Sequence, residues 1–176
     1  MNPLPEKKPR VIVGVHDSAA ARWALAWAIG EARLRRLALV IVHAVPPPNY
    51  AGRAPWAALP DTSDLDKDRG AELINLLLDE VAGGPPPDIT VLAYVVIGEA
   101  GRTLIEFTGE GDILVVGRGR RTLMKRLLAA DPARLCQGHA PGTVVTVAPP
   151  TSADLSSTAE EQRAAPRRLW SRLRPP

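Results

Sequence analysis

Along this chain, short runs of consecutive apolar residues alternate with longer segments whose apolar positions recur at helical spacing. The runs are Arg10 to Val15, Leu37 to Val45, Ile89 to Ile97, Asp112 to Val116 and Thr143 to Val147. They are rich in β-branched residues and lack the in-out alternation of a half-exposed strand, so they read as strands covered on both faces. Between them, Ala20 to Arg36, Asp64 to Val81, Glu99 to Thr108 and a segment opening at Asp131 read as helices. Trp23, Ala24, Trp27, Ala28 and Ala32 mark the apolar positions of the first; Leu65, Leu73, Leu76, Leu77 and Leu78 lie mostly on one side of the second. The punctuation agrees: His16-Asp17-Ser18 offers capping residues, Gly83-Gly84 a helix stop, and Asp131-Pro132 an N-cap followed by proline at the first helical position. Pro46 to Pro48, Pro85 to Pro87, Pro141-Gly142 and Pro149-Pro150 end or reset segments.

Strand-helix alternation of this kind predicts an α/β fold, a doubly wound five-stranded parallel sheet with helices on both faces. Ligands of such sheets sit beyond the carboxyl ends of the strands, where the strand order reverses. That geometry is expected to bring Gly14 to Ser18 beside Gly117 to Arg121. The connection from Pro46 to Ser63 is long and irregular, and is expected to be a crossover whose Trp56 covers a core edge.

Composition adds boundaries. With 176 residues, 45% hydrophobic and 23% charged, the chain reads as one domain, residues 10–148. Residues 1–9 are a proline-rich lead-in and residues 149–176 a tail ending in a basic run, both expected to be disordered. The run Arg167 to Arg174 interleaves Leu169, Trp170 and Leu173 with its arginines. Formal net charge is +3, much of it placed in that tail and between Arg118 and Arg126, so it describes local surfaces. Cys136 is the one cysteine; no intrachain disulfide framework is expected, and the cytoplasm is the default compartment. Apolar runs such as Ala38 to Val42 are far short of a membrane span.

Candidate chemistry concentrates between Asp112 and Asp131. A buried-type strand leads into Gly117-Arg118-Gly119-Arg120, whose glycines tolerate positive φ and close backbone approach. Arg118, Arg120, Arg121, Lys125 and Arg126 follow with no acid among them, a field that attracts anions. Elsewhere no catalytic residues emerge. His16, Asp17 and Ser18 have the residue types of a triad, but neighbours on one turn do not converge, and capping explains them better. No Gly-x-Ser-x-Gly elbow, dinucleotide fingerprint or Gly-Lys-Ser/Thr phosphate loop is present. His16, His43, His139 and Cys136 show no metal-ligand spacing on a shared element, and Cys136 reads as a small packed thiol. The basic loop and tail together offer an alternative, an anionic surface partner such as nucleic acid, with poor aromatic interleaving against it.

The combination of Val13-Gly14-Val15-His16-Asp17-Ser18, Trp27 in a helix ending Glu31-Ala32-Arg33-Leu34-Arg35, Val42-His43-Ala44-Val45, Asp112 to Arg120, and His139-Ala140-Pro141 before a valine-rich strand resembles the universal stress protein family over about Val11 to Val147. The resemblance implies a regulatory or binding module, not an enzyme, and a homodimer paired through the fifth strand, Thr143 to Val147. It also implies an ATP pocket on Gly14, His16, Val42, Gly117, Arg118, Gly119 and Arg120. Family members that bind ATP use glycine, two residues, glycine, nine residues, then glycine with serine or threonine. Here only Arg118 separates Gly117 from Gly119, Ala130 and Asp131 or Ala129 and Ala130 stand at the later Gly-Ser positions, and His16 replaces an aspartate. These departures predict a pocket that is weak or non-functional; the alternative is an ATP binder using Gly117 to Arg121 for phosphates.

Overall fold

The computed structural model describes residues 8–47, 63–119 and 132–150. In order they form β1 (Arg10–Gly14), α1 (Ala19–Arg35), β2 (Ala38–Val45), α2 (Ser63–Ala82), β3 (Val91–Ile97), α3 (Ala100–Phe107), β4 (Ile113–Gly117), α4 (Pro132–His139) and β5 (Thr143–Val147). The strands make one parallel sheet in the order β3-β2-β1-β4-β5. The α/β reading therefore holds, with element ends shifted by one or two residues. The third strand starts at Val91, two residues past the expected Ile89. The third helix starts at Ala100, leaving Glu99 at the N-cap without a side-chain capping bond.

Two cores follow from alternation along strands covered on both faces. Toward α1 and α2 lie Val11, Val13, Leu39, Ile41, Ile113 and Val115; toward α3 and α4 lie Ile12, Val40, Val42, Leu114 and Val116. Helix α1 meets the sheet through Ala21, Ala24, Leu25, Ala28 and Ala32, each fully buried. Small side chains let its axis come close, so the tryptophans that share its helical pattern are turned outward: Trp23 is 48% and Trp27 37% exposed. On α2 the same sorting buries Ile74, Leu77 and Leu78 and leaves Leu65 and Leu76 exposed. Gly70 of α2 sits where a Cβ would come within 2.5 Å of Val95 and 2.9 Å of His43, so its lack of a side chain sets how closely α2 lies on β2 and β3.

Helix ends use local chemistry. The hydroxyl of Ser18 accepts a hydrogen bond from the Ala21 amide at 3.1 Å, confirming it as the cap of α1. At the other end Arg36 adopts the left-handed conformation, φ 56, while the amides of Arg36 and Leu37 donate to the carbonyls of Arg33 and Ala32. A non-glycine residue there costs about 1 kcal/mol, repaid by the two carbonyls it satisfies. Gly83 and Gly84, both at positive φ, close α2 as the sequence predicts.

At the amino ends of the strands, Asp112 is 2% exposed and binds three elements at once. It accepts from the Arg10 amide at 2.8 Å, from the Arg10 guanidinium at 2.6 Å and from the Gly109 amide at 2.9 Å. Arg10 also donates to the Phe107 carbonyl at the end of α3. The Asp112 carbonyl takes the Thr143 amide, opening β5. Burial by itself would raise the Asp112 pKa, but the Arg10 side chain and the two amides outweigh it and hold the carboxyl below its ordinary value.

A carboxylate whose pKa is lowered on folding contributes stability that is complete above its ordinary pKa and is lost as pH falls through the folded value. Asp112→Ala should therefore lower unfolding stability at neutral pH by roughly 3 kcal/mol, since it leaves Arg10 without its partner. In urea titrations, the gap between variant and wild type should shrink as pH drops below 4, the ordinary carboxylate range.

Candidate functional site

Strand order reverses between β1 and β4, and this places the candidate cleft. Gly14 pairs with Val42 on one side and Val116 on the other, so the carboxyl ends of β1, β2 and β4 finish level. The turn Val15-His16-Asp17-Ser18 then feeds α1, whose first turn lies against the loop leaving β4. A Cβ on Gly117 would sit 2.6 Å from the Ala20 carbonyl oxygen and 3.0 Å from the Ala21 amide nitrogen, and one on Gly119 3.9 Å from the Ala20 Cβ. The loop leaving β4 thus meets the first turn of α1, just past the expected Gly14 to Ser18, while Arg120 and Arg121 lie outside the described residues.

Of the two reasons expected for glycine at 117, close backbone approach is the one the structure shows. Positive-φ glycines among the described residues are Gly83, Gly84 and Gly111, so Gly117 serves close approach to helix backbone and not an unusual conformation. Gly14 is similarly enclosed from the opposite layer, with Leu104 Cδ1 2.6 Å from its missing Cβ. Val42 is 1% exposed and belongs to the core shared with Leu104. Its carbonyl accepts the Val15 amide at 2.9 Å, extending the β1–β2 ladder one step beyond the strand.

The Arg118 amide donates to the Val147 carbonyl at 2.7 Å, extending the β4–β5 ladder in the same way. Arg118 and Gly119 are exposed, as are His16 and Asp17. The Asp17 carboxylate pairs with Arg22 at 3.0 Å, pulling it back along α1. Of the remaining candidates, Arg120, Ala130 and Asp131 lie outside the described residues, as do Arg121, Lys125, Arg126, Trp56 and the terminal tails.

His43 is the feature that strand-by-strand reasoning missed. The sequence offers it only as a residue without metal-ligand spacing, yet its Nδ1 donates to the Val15 carbonyl at 2.9 Å and thereby ties the turn after β1 to β2. Its signal was present in the register: residue 43 lies one step past the partner of Gly14, where the β1 ladder ends and a side-chain donor can replace it. Cys136 is fully buried beneath α3, with Sγ 3.7 Å from the Gly101 carbonyl, a packed thiol as expected. No group of three or more His, Cys, Asp or Glu able to hold a metal occurs among the described residues. None of the described helices is long and apolar enough to cross a membrane.

Comparison with known proteins gives this architecture its relatives. A family model described as "Universal stress protein family" matches residues 9–148, nearly the whole described span. The chain belongs to the universal stress protein family. It is 32% identical over 145 residues to the universal stress protein Rv2623 of Mycobacterium tuberculosis, an alignment covering 77% of this chain and 46% of that one. A second relative, universal stress protein Rv2005c of the same organism, is 28% identical over 137 residues, covering 74% and 45%. The chain thus spans about half the length of the curated universal stress proteins it matches. Among solved structures, UspA of Lactobacillus plantarum superposes with a TM-score of 0.56 at 16% identity, over 79% of this chain and 97% of that one. A universal stress protein in complex with cAMP superposes at 0.55 and 21% identity, over 79% and 96%. One from Archaeoglobus fulgidus in complex with dAMP gives 0.51 and 17% identity, over 80% and 98%. These likenesses establish the universal stress fold for this chain.

The contact between Gly117 and α1 is steric and leaves little room. Gly117→Ala should lower unfolding stability by about 2 kcal/mol, as expected for overpacking against backbone that cannot turn aside. Gly119→Ala, with open space beside it, should cost less than about 0.5 kcal/mol. Thermal or urea unfolding of the two variants checks the contrast.

Proposed function

We propose that this chain is a non-catalytic regulatory module of the cytoplasm, built on the universal stress fold, whose nucleotide cleft holds ATP weakly or not at all. The support is the fate of the backbone around Gly117. A phosphate cradle depends on free N–H groups converging on one point. Here the Arg118 amide is spent on Val147, and Gly117 is pressed against the first turn of α1. Only Arg118 separates the two glycines, one residue fewer than the ATP-binding pattern. Alanine at 130 and aspartate at 131 supply neither the backbone freedom of glycine nor a serine hydroxyl. If Asp131 caps α4, its carboxylate takes the anion position at that helix terminus. A triphosphate at contact distance would then be repelled by roughly 1 to 4 kcal/mol in a surface-like dielectric.

The relatives with cAMP and dAMP bear on the same reading, because they make an adenine nucleotide the ligand class to test. Isothermal titration with Mg-ATP, cAMP and dAMP should give dissociation constants weaker than about 100 μM for the natural chain. The double variant Ala130→Gly with Asp131→Ser should gain at least about tenfold for ATP, or roughly 1.4 kcal/mol. Low-micromolar binding by the natural chain would overturn this reading.

The module is further proposed to act as a homodimer through β5. That strand, Thr-Val-Val-Thr-Val, ends the sheet, carries no charge or proline, and presents unpaired backbone groups beyond β4. Placing a proline at Thr146 should disrupt an edge-to-edge pairing and lower the sedimenting mass, whereas an unchanged mass would place any pairing elsewhere.

A further inference from the structure

Helix α1 has a second apolar face that is turned largely toward solvent. Trp23 is 48%, Trp27 37% and Leu34 79% exposed, and between them a Cβ on Gly30 would meet no atom within 4 Å. Ala19 and Ala26, also exposed, continue the same stripe. At 100° per residue these six positions fall within one arc opposite the buried alanines, and no charged residue interrupts it. Leaving two tryptophans in water on one helix is costly unless something covers them.

We propose that this stripe is a self-association surface through which two copies of the chain pair with their α1 helices antiparallel. The spacing of Trp23, Trp27, Gly30 and Leu34 is four, three, four, and it reads the same in both directions. A two-fold axis between Trp27 and Gly30 therefore sets Trp27 of each copy against Gly30 of the other, a large knob opposite an open hole. It also sets Trp23 against Leu34. An isologous interface needs this self-complementarity, and an arbitrary apolar patch does not supply it. Ridge-and-groove packing favours a small residue where helices cross most closely.

Charge runs the same way. At the amino end of the helix Asp17 is paired with Arg22, which also holds Glu80, while its carboxyl end carries Arg33, Arg35 and Arg36, all exposed, the first two paired with Asp88 and Glu31. Antiparallel pairing keeps the two arginine-bearing ends apart and opposes the two helix dipoles; parallel pairing stacks like ends. The three large side chains bring on the order of 300 Å² of apolar surface per copy, below the roughly 800 Å² per partner of a standard stable interface. Association is accordingly reversible and dependent on concentration.

This inference does not rest on the nucleotide reading or on the β5 edge. Light scattering after size exclusion, from low micromolar to several hundred micromolar protein, should show a mass that rises with concentration. Gly30→Arg fills the hole and Trp27→Glu charges the knob; circular dichroism should show both variants folded, and Gly30→Arg should melt no lower than the natural chain because arginine is the better helix former. Each variant should halve the limiting mass, from four chains to two if β5 also pairs and from two to one if it does not. A natural chain of constant mass, or one whose mass neither variant changes, overturns the proposal, including the case in which another protein or a membrane covers the stripe. Direction is read by oxidation of single-cysteine variants, since the native Cys136 is buried. A mixture of Trp23→Cys and Leu34→Cys should cross-link, and neither variant alone; cross-linking of each alone indicates parallel pairing and overturns the antiparallel arrangement.

Discussion

The relative register of β1 and β4 is the constraint on which the rest depends. These strands are far apart in sequence, and nothing local brings them together. Asp112 fixes one end of the pair by holding the amide and guanidinium of Arg10, and the close contact of Gly117 with Ala20 fixes the other by bringing the loop after β4 onto α1. With both ends set, Gly14 falls beside Val116 and the strand order reverses at a defined place, where the doubly wound rule puts the candidate cleft. The Asp112 clasp is a paired, mostly buried charge, an arrangement whose value lies as much in specifying one register as in net stabilisation. A slip of one residue would strand both charges and would turn every core side chain of β1 to the wrong face.

Much of this was legible in the sequence. Five apolar runs separated by helical patterns led to the sheet, and the doubly wound rule led from the sheet to the position of the cleft. Serine at position 18 and the glycine pair at 83 and 84 marked helix ends through chemistry that is local, and local chemistry is what sequence exposes. Trp23 and Trp27 show the limit. Their spacing fits a helix, but periodicity identifies a face without saying which of two apolar faces meets the sheet. Packing decided it: alanines permit a closer approach than tryptophans do, so the small face went inward. The bonds from Arg10 to Asp112 and from His43 to Val15 become legible only once the register is known, since each joins residues that only the strand order makes neighbours.

Helix α1 therefore does three things with one stretch of chain. Its alanines set the thickness of the main core, its first turn sets the geometry of the cleft, and its outer face presents an ordered set of large and absent side chains to solvent. The first two are coupled, because Ala20 and Ala21 touch Gly117 while Ala24 and Ala28 touch the sheet. A change in how the helix seats on the sheet would move the wall of the cleft with it. The outer face, about half a helical turn away, is where a second molecule could bear on that seating without entering the cleft.

What survives in the cleft can be weighed by asking which kind of attraction remains. Backbone amides bind phosphate by position: they are rigid, they converge, and they lose their effect when another carbonyl takes the hydrogen bond, as Val147 takes that of Arg118. Arginine side chains bind by charge and reach: they tolerate many geometries, but holding a long side chain in one of them carries an entropic cost. The sequence from Arg118 to Arg126 is rich in the second kind. A run of such charges raises the local concentration of any anion without selecting one, and attraction of that kind weakens with salt. Selective, salt-tolerant binding would require the first kind, and at Arg118 the fold has already committed it to holding β5 in place.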